Sequence, residues 1–129
     1  MLLDTSGLFC YHHKDEPEHQ SAQALFEAPG RKLTHSYVVS EFVALAGARR
    51  LQRTPALDFL KAVLDHPEVE VVWVSKGLNR EAVSLLEARL DKTYSLCDAV
   101  SFVLMKERGL TEALTTDHHF EQEGFRRLL

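Results

Sequence analysis

Four acidic residues stand in surroundings that do not suit them. Asp4 closes the apolar run Met1-Leu2-Leu3, and Asp117 follows Ala113-Leu114-Thr115-Thr116. Glu41 interrupts Val38-Val39-Ser40-Glu41-Phe42-Val43, and Asp98 lies in Ser95-Leu96-Cys97-Asp98-Ala99-Val100. A carboxylate in apolar company is costly unless it is paired or holds a cation. Local roles exist for three of them. Asp4 can cap a helix starting at Thr5, Asp98 completes a Ser-x-x-Asp capping box with Ser95, and Asp117 can cap a turn at His118-His119. Glu41 has no such role, and no basic residue lies within a helical turn of it. If the four converge they repel one another, and a divalent cation relieves the repulsion. Hard oxygen ligands select Mg²⁺ or Mn²⁺, which bind a few carboxylates plus a substrate phosphate.

Convergence depends on the elements that carry these acids. Met1–Leu3 reads as a short buried strand and Thr5–Tyr11 as a short helix. Pro17 can open a second helix, striped by Ala22, Leu25 and Phe26 and ended by Pro29-Gly30. Lys32–Ser36 is a possible strand. Val38–Arg50 is a helix with a wide apolar face, and Thr54-Pro55 reads as a cap and first turn of the next, striped by Leu57, Leu60, Val63 and Leu64. Val69–Val74 is the clearest strand, being β-branched, and Trp73 within it is expected in the core. Asn79–Leu90 reads as a helix burying Ala82, Val83, Leu86 and Leu90. Leu96–Arg108 is apolar almost all round, with Gly109 suited to end it. Glu112–Thr116 and Phe125–Leu128 are the last expected strands. Strands separated by helical stretches imply an α/β fold with a mostly parallel sheet and helices on both faces. Ligands bind such sheets outside the carboxyl ends of the strands, where Asp4 and Asp117 fall.

At this point the residues resemble a known family. Leu2-Leu3-Asp4-Thr5-Ser6, Ser40-Glu41, Ser95-Leu96-Cys97-Asp98-Ala99-Val100-Ser101-Phe102 and Leu114-Thr115-Thr116-Asp117-His118-His119-Phe120 look like the PIN-domain ribonucleases, in particular the VapC-like toxins of toxin–antitoxin pairs. The likeness runs through nearly the whole chain, which reads as a single PIN domain over 1–129, and is most specific from Tyr94 to Phe125. It implies a three-layer α/β/α sandwich and a Mg²⁺-dependent endoribonuclease, with Mn²⁺ as a possible substitute. By resemblance Asp4, Glu41, Asp98 and Asp117 are the metal ligands and catalytic acids. Thr5, Ser6 and Thr116 support them. The products would carry 5′-phosphate and 3′-hydroxyl ends. The resemblance also implies an RNA substrate, a cognate antitoxin and a homodimer. The alternative is a non-catalytic PIN-like module for RNA binding or dimerisation, against which the retention of four acids argues.

Composition narrows the remaining classes. The chain has 129 residues, 45% hydrophobic and 26% charged, which is ordinary globular usage for one domain. A formal charge of -4 excludes nucleic-acid binding through a bulk positive field, so RNA must meet local basic groups. Arg49, Arg50, Arg53 and Lys92 are the candidates for phosphate contacts, with Tyr94 as a possible stacking face. The plain alternative for the arginines is charge complementing a helix end. Two cysteines without a CxxC argue against a disulfide or cysteine–zinc scaffold and fit a reducing cytoplasm. No apolar run is long enough to span a membrane, and the N-terminus does not read as a secretory signal. The pairs His12-His13 and His118-His119 lack the i, i+4 spacing of a helical zinc site and are expected at surfaces or turns. Two other acidic-pocket folds do not match: a haloacid-dehalogenase phosphatase needs a second Asp where Ser6 stands, and a receiver domain needs one where the middle strand ends Trp73-Val74-Ser75.

Overall fold

The computed structural model describes residues 1–129. The chain runs β1 (Leu2–Leu3), α1 (Thr5–His12), α2 (His19–Glu27), β2 (Lys32–His35), α3 (Ser36–Ala48), α4 (Arg53–Leu64), β3 (Val69–Val72), α5 (Lys76–Glu87), α6 (Leu96–Arg108), β4 (Glu112–Leu114), α7 (His119–Gln122) and β5 (Arg126–Arg127). The strands form one sheet in the order β3-β2-β1-β4-β5, and every pairing is parallel. This is the α/β/α sandwich that the alternation of elements implies.

Strand alternation builds the two cores. Leu3 and Leu114 point into one, with Leu8, Phe26, Val38, Phe42 and Leu60 from α1–α4. Leu2 and Ala113 point into the other, with Ala82, Val100, Phe102 and Met105 from α5 and α6. α6 matches its expected bounds. Ser95 and Asp98 form a complete capping box, and Gly109 takes the left-handed conformation (φ 65°) that ends the helix. Gly7 is required by packing: a Cβ there would overlap the Leu114 carbonyl, so α1 can lie directly on β4. His35, fully buried at the end of β2, ties the sheet to α6 through Nε2 and the Ser101 hydroxyl at 2.8 Å. Burial pushes its pKa down to about 4, so the ring is neutral.

Several expectations need correction. β3 stops at Val72, on the edge of the sheet, and Trp73 is 70% exposed rather than in the core. α5 is offset toward the N-terminus because the Ser75 hydroxyl accepts from the Leu78 N–H at 3.1 Å and caps it there. The helix therefore ends before Leu90, which is 86% exposed, and Val83 is exposed rather than buried. α2 starts two residues beyond Pro17, and α4 starts at Arg53 with Gln52, not Thr54, preceding it. α3 begins at Ser36 and ends at Ala48, leaving Arg50 in a left-handed turn (φ 57°). The segment after Asp117 forms the short helix α7, which periodicity over so few residues does not reveal.

Candidate metal centre

Asp4 directly follows β1, and its N–H donates to the Leu114 carbonyl of β4 at 3.2 Å. The register Leu2↔Ala113, Leu3↔Leu114 continues one step, so Asp4 lies beside Thr115 on the same face. The Thr115 hydroxyl donates to Asp4 Oδ2 at 2.7 Å, and the Ser6 hydroxyl donates to the same oxygen at 3.0 Å. Ser6 Oγ in turn accepts the Thr116 N–H, and Thr115 Oγ1 accepts the Asp117 N–H, each at 3.0 Å. One hydroxyl pair thus fixes both the first acid and the backbone carrying the last. Asp4 makes no side-chain cap to α1. Its carboxylate is committed to the sheet edge instead.

Asp98 comes to the same edge from the first turn of α6. Its Oδ2 accepts the Ser95 N–H at 3.0 Å, so the capping role and the site role are held by one carboxylate. Asp117 Oδ1 accepts the His119 N–H at 2.9 Å and so caps the turn into α7. Burial is the main influence on Asp4, whose pKa is pushed up to about 6 against the opposing hydrogen bond from Thr115, with the Asp98 charge adding to the rise. Burial also raises Asp98, and the charge of Asp117 adds to it. Glu41 is exposed on α3 and reaches the group across Cys97. Burial, then the charges of Glu41 and Asp4, push that thiol strongly upward and keep it protonated.

The structure therefore brings Asp4, Asp98 and Asp117 together, while Glu41, exposed on α3, neighbours Cys97. No lysine or arginine pairs with any of the four. Mutually repelling carboxylates, two of them buried and none paired with a lysine or arginine, suit a bound divalent cation.

Among the supporting residues, Ser6 acts through its hydroxyl, while Thr5 Oγ1 has no partner. Thr116 contributes only its backbone, and the hydroxyl that matters belongs to Thr115, which the sequence reading passed over. His119 was also unforeseen. Instead of facing solvent it is largely buried, with Nδ1 3.1 Å from Asp98 Oδ2 and 3.3 Å from Asp117 Oδ2. Tyr94 is buried too, its hydroxyl donating to Glu123 at 3.2 Å, so it offers no stacking face.

None of the basic candidates pairs with the four acids. Arg49 pairs with Glu16 at 2.7 Å and covers the Phe9 ring, whereas Arg50 and Arg53 are exposed at the turn between α3 and α4. Lys92 lies 3.5 Å from Asp91 on the segment leading to α6. The largest pocket, about 370 Å³, opens at the opposite edge of the sheet around Met1, Gly30 and Arg126. Its one buried cation, Lys32, is already saturated by the Ala28 and Gly30 carbonyls and Glu68.

Comparison with known proteins agrees with this fold. The PIN domain family model matches residues 1–125. The 23S rRNA-specific endonuclease VapC20 of Mycobacterium tuberculosis is 26% identical over 126 residues, covering 97% of this chain and 95% of that protein, in strain CDC 1551 / Oshkosh and equally in H37Rv. The crystal structure of the M. tuberculosis VapC20, described as a sarcin-ricin loop cleaving toxin, superposes with a TM-score of 0.86 at 26% identity, covering 96% of this chain and 95% of that one.

Proposed function

The chain belongs to the PIN domain family, and from that premise we propose that it is a Mg²⁺- or Mn²⁺-dependent endoribonuclease, the toxin of a toxin–antitoxin pair. The observation that carries this reading is the meeting of Asp4, Asp98 and Asp117 at the carboxyl edge of a parallel sheet, with no lysine or arginine to neutralise them. The likeness to an rRNA endonuclease supports RNA as the substrate class.

A divalent ion held by these acids would polarise the scissile phosphate and acidify a bound water. Asp4, fixed by the Thr115 and Ser6 hydroxyls, is the preorganised ligand, since its oxygen cannot swing away without breaking two hydrogen bonds. Asp98 is held by the cap of α6, where the helix dipole favours its negative charge. Glu41, on α3 beside Cys97, is the proposed fourth acid. Water adds to phosphorus, the P–O3′ bond breaks, and the leaving oxygen takes up a proton to give 5′-phosphate and 3′-hydroxyl ends. Asp117, the least enclosed of the three aspartates, accepts the water proton. Arg50, Arg53 and Lys92 are the proposed contacts to the RNA backbone. A homodimer and a cognate antitoxin complete the reading. No helix is long and apolar enough to cross a membrane.

The test is cleavage of a panel of structured RNAs by the purified protein. The expected result is cleavage with Mg²⁺ or Mn²⁺ that stops with EDTA. Binding without cleavage under all metals would favour a non-catalytic RNA-binding module.

A further inference from the structure

Resting on that reading of the acidic site, we propose that His119 is a further metal ligand, through Nδ1, and that it tilts the site from Mg²⁺ toward Mn²⁺. Nδ1 lies 3.1 Å from Asp98 Oδ2 and 3.3 Å from Asp117 Oδ2. Two ligands at right angles on an ion with bonds of about 2.1 Å stand about 3.0 Å apart. Both distances from Nδ1 match the spacing of neighbouring ligands on one cation.

The rest of the ring is arranged as it is at metal-bound histidines, whose second nitrogen is held by a hydrogen-bond partner that orients the ring. Nε2 lies 3.1 Å from Thr93 Oγ1. With Nε2–H donating to that hydroxyl, the Nδ1 lone pair is directed at the two carboxylates and a cation between them resolves the meeting of three acceptors, whereas with the proton on Nδ1 the ring donates to Asp98 Oδ2 at 3.1 Å instead. The ring is also fixed by packing. Tyr94 meets it edge-on at 5.3 Å between centroids, and Tyr94 is anchored through Glu123 to Arg89 and Lys106. His118 provides a contrast within the same turn: it is mostly exposed, and its Nδ1 is 3.7 Å from the other oxygen of Asp117. A nitrogen ligand suits first-row transition ions better than Mg²⁺, which prefers oxygen.

The experiment is pulsed electron paramagnetic resonance on the full chain with one equivalent of Mn²⁺. Bound Mn²⁺ should show nitrogen modulation that changes from ¹⁴N to ¹⁵N when only histidine is labelled, a result that needs no variant. His119→Asn should abolish the modulation and weaken Mn²⁺ binding by about tenfold or more, on the scale seen when metal-site support is removed. Mg²⁺ binding, measured by competition, should weaken much less. His118→Asn should keep the signal. Mn²⁺ bound without nitrogen coupling, or coupling that survives His119→Asn, would overturn the assignment of His119 and leave the acidic site standing. Failure of the wild-type chain to bind Mn²⁺ at all would overturn both.

Discussion

Replacing Asp4 with Asn separates what the site costs the fold from what it does. Burial lifts the Asp4 pKa in the folded chain to about 6, from an ordinary value of 3.8. That difference of about 2 units corresponds to about 3 kcal/mol at 1.36 kcal/mol per unit. The sign follows from proton binding. Below the unfolded value both states hold the proton, and no penalty exists. Between about pH 4 and 6 the folded state binds more protons than the unfolded one, so metal-free stability falls as pH rises, and the loss is complete above the folded value. Asn keeps the volume and can still accept from Thr115, so metal-free Asp4→Asn should match the wild type near pH 3.5. It should exceed it by up to about 3 kcal/mol at pH 7.5. Urea unfolding in EDTA at the two pH values gives the difference directly. Adding Mn²⁺ should reverse the order, because only the wild type gains binding energy from the ion. Equal metal-free stabilities at pH 7.5, or a variant that is less stable there, would refute the claim that Asp4 is a strained, unneutralised carboxylate.

Other consequences concern the parts that hold the site. Thr115→Val should cost about 1.5–3 kcal/mol, the scale of a hydrogen bond to a charged group, and lower cleavage, while Thr116→Val leaves cleavage near wild type; unfolding and single-turnover rates check both. Gly7→Ala should destabilise by about 1–3 kcal/mol through overpacking, since α1 must lift from the Leu114 carbonyl and carry Ser6 with it; thermal unfolding and Mn²⁺ affinity should fall together. The double variant Arg50→Glu, Arg53→Glu should flatten the log–log salt dependence of RNA binding by about 1.4, at about 0.7 per phosphate contact, and an unchanged slope would place the RNA path elsewhere.

Much of this architecture is legible in the sequence because local signals agree with the fold. Leu96–Arg108 carries its own start in Ser95-x-x-Asp98 and its own stop in Gly109, and α6 has those bounds. Burial of adjacent residues on opposite faces accounts for the strands that are apolar throughout, Leu2-Leu3 and Ala113-Leu114. Trp73 and Leu90 misled because residue type does not report whether a strand lies at the sheet edge or where a cap ends a helix. The acids stood out by their apolar neighbours. Thr115 did not, since its role follows from the pairing of β1 with β4, and register is invisible in either strand alone. His119 was hidden for a related reason. Its partners are 21 residues away in Asp98 and 26 away in Thr93, joined only when α7 folds back onto α6.

The central claim is that four acids from separate elements form one cation site that cleaves RNA. It is tested most directly by single-turnover cleavage with Asp4→Asn, Glu41→Gln, Asp98→Asn and Asp117→Asn, each checked for folding and for RNA affinity. Glu41→Gln is the sharpest member, because α3 brings this acid in only across Cys97. The account predicts that all four variants fold, retain RNA binding, and lose metal-dependent cleavage. Full cleavage by any one of the four variants, or wild-type cleavage that persists in EDTA, would contradict it.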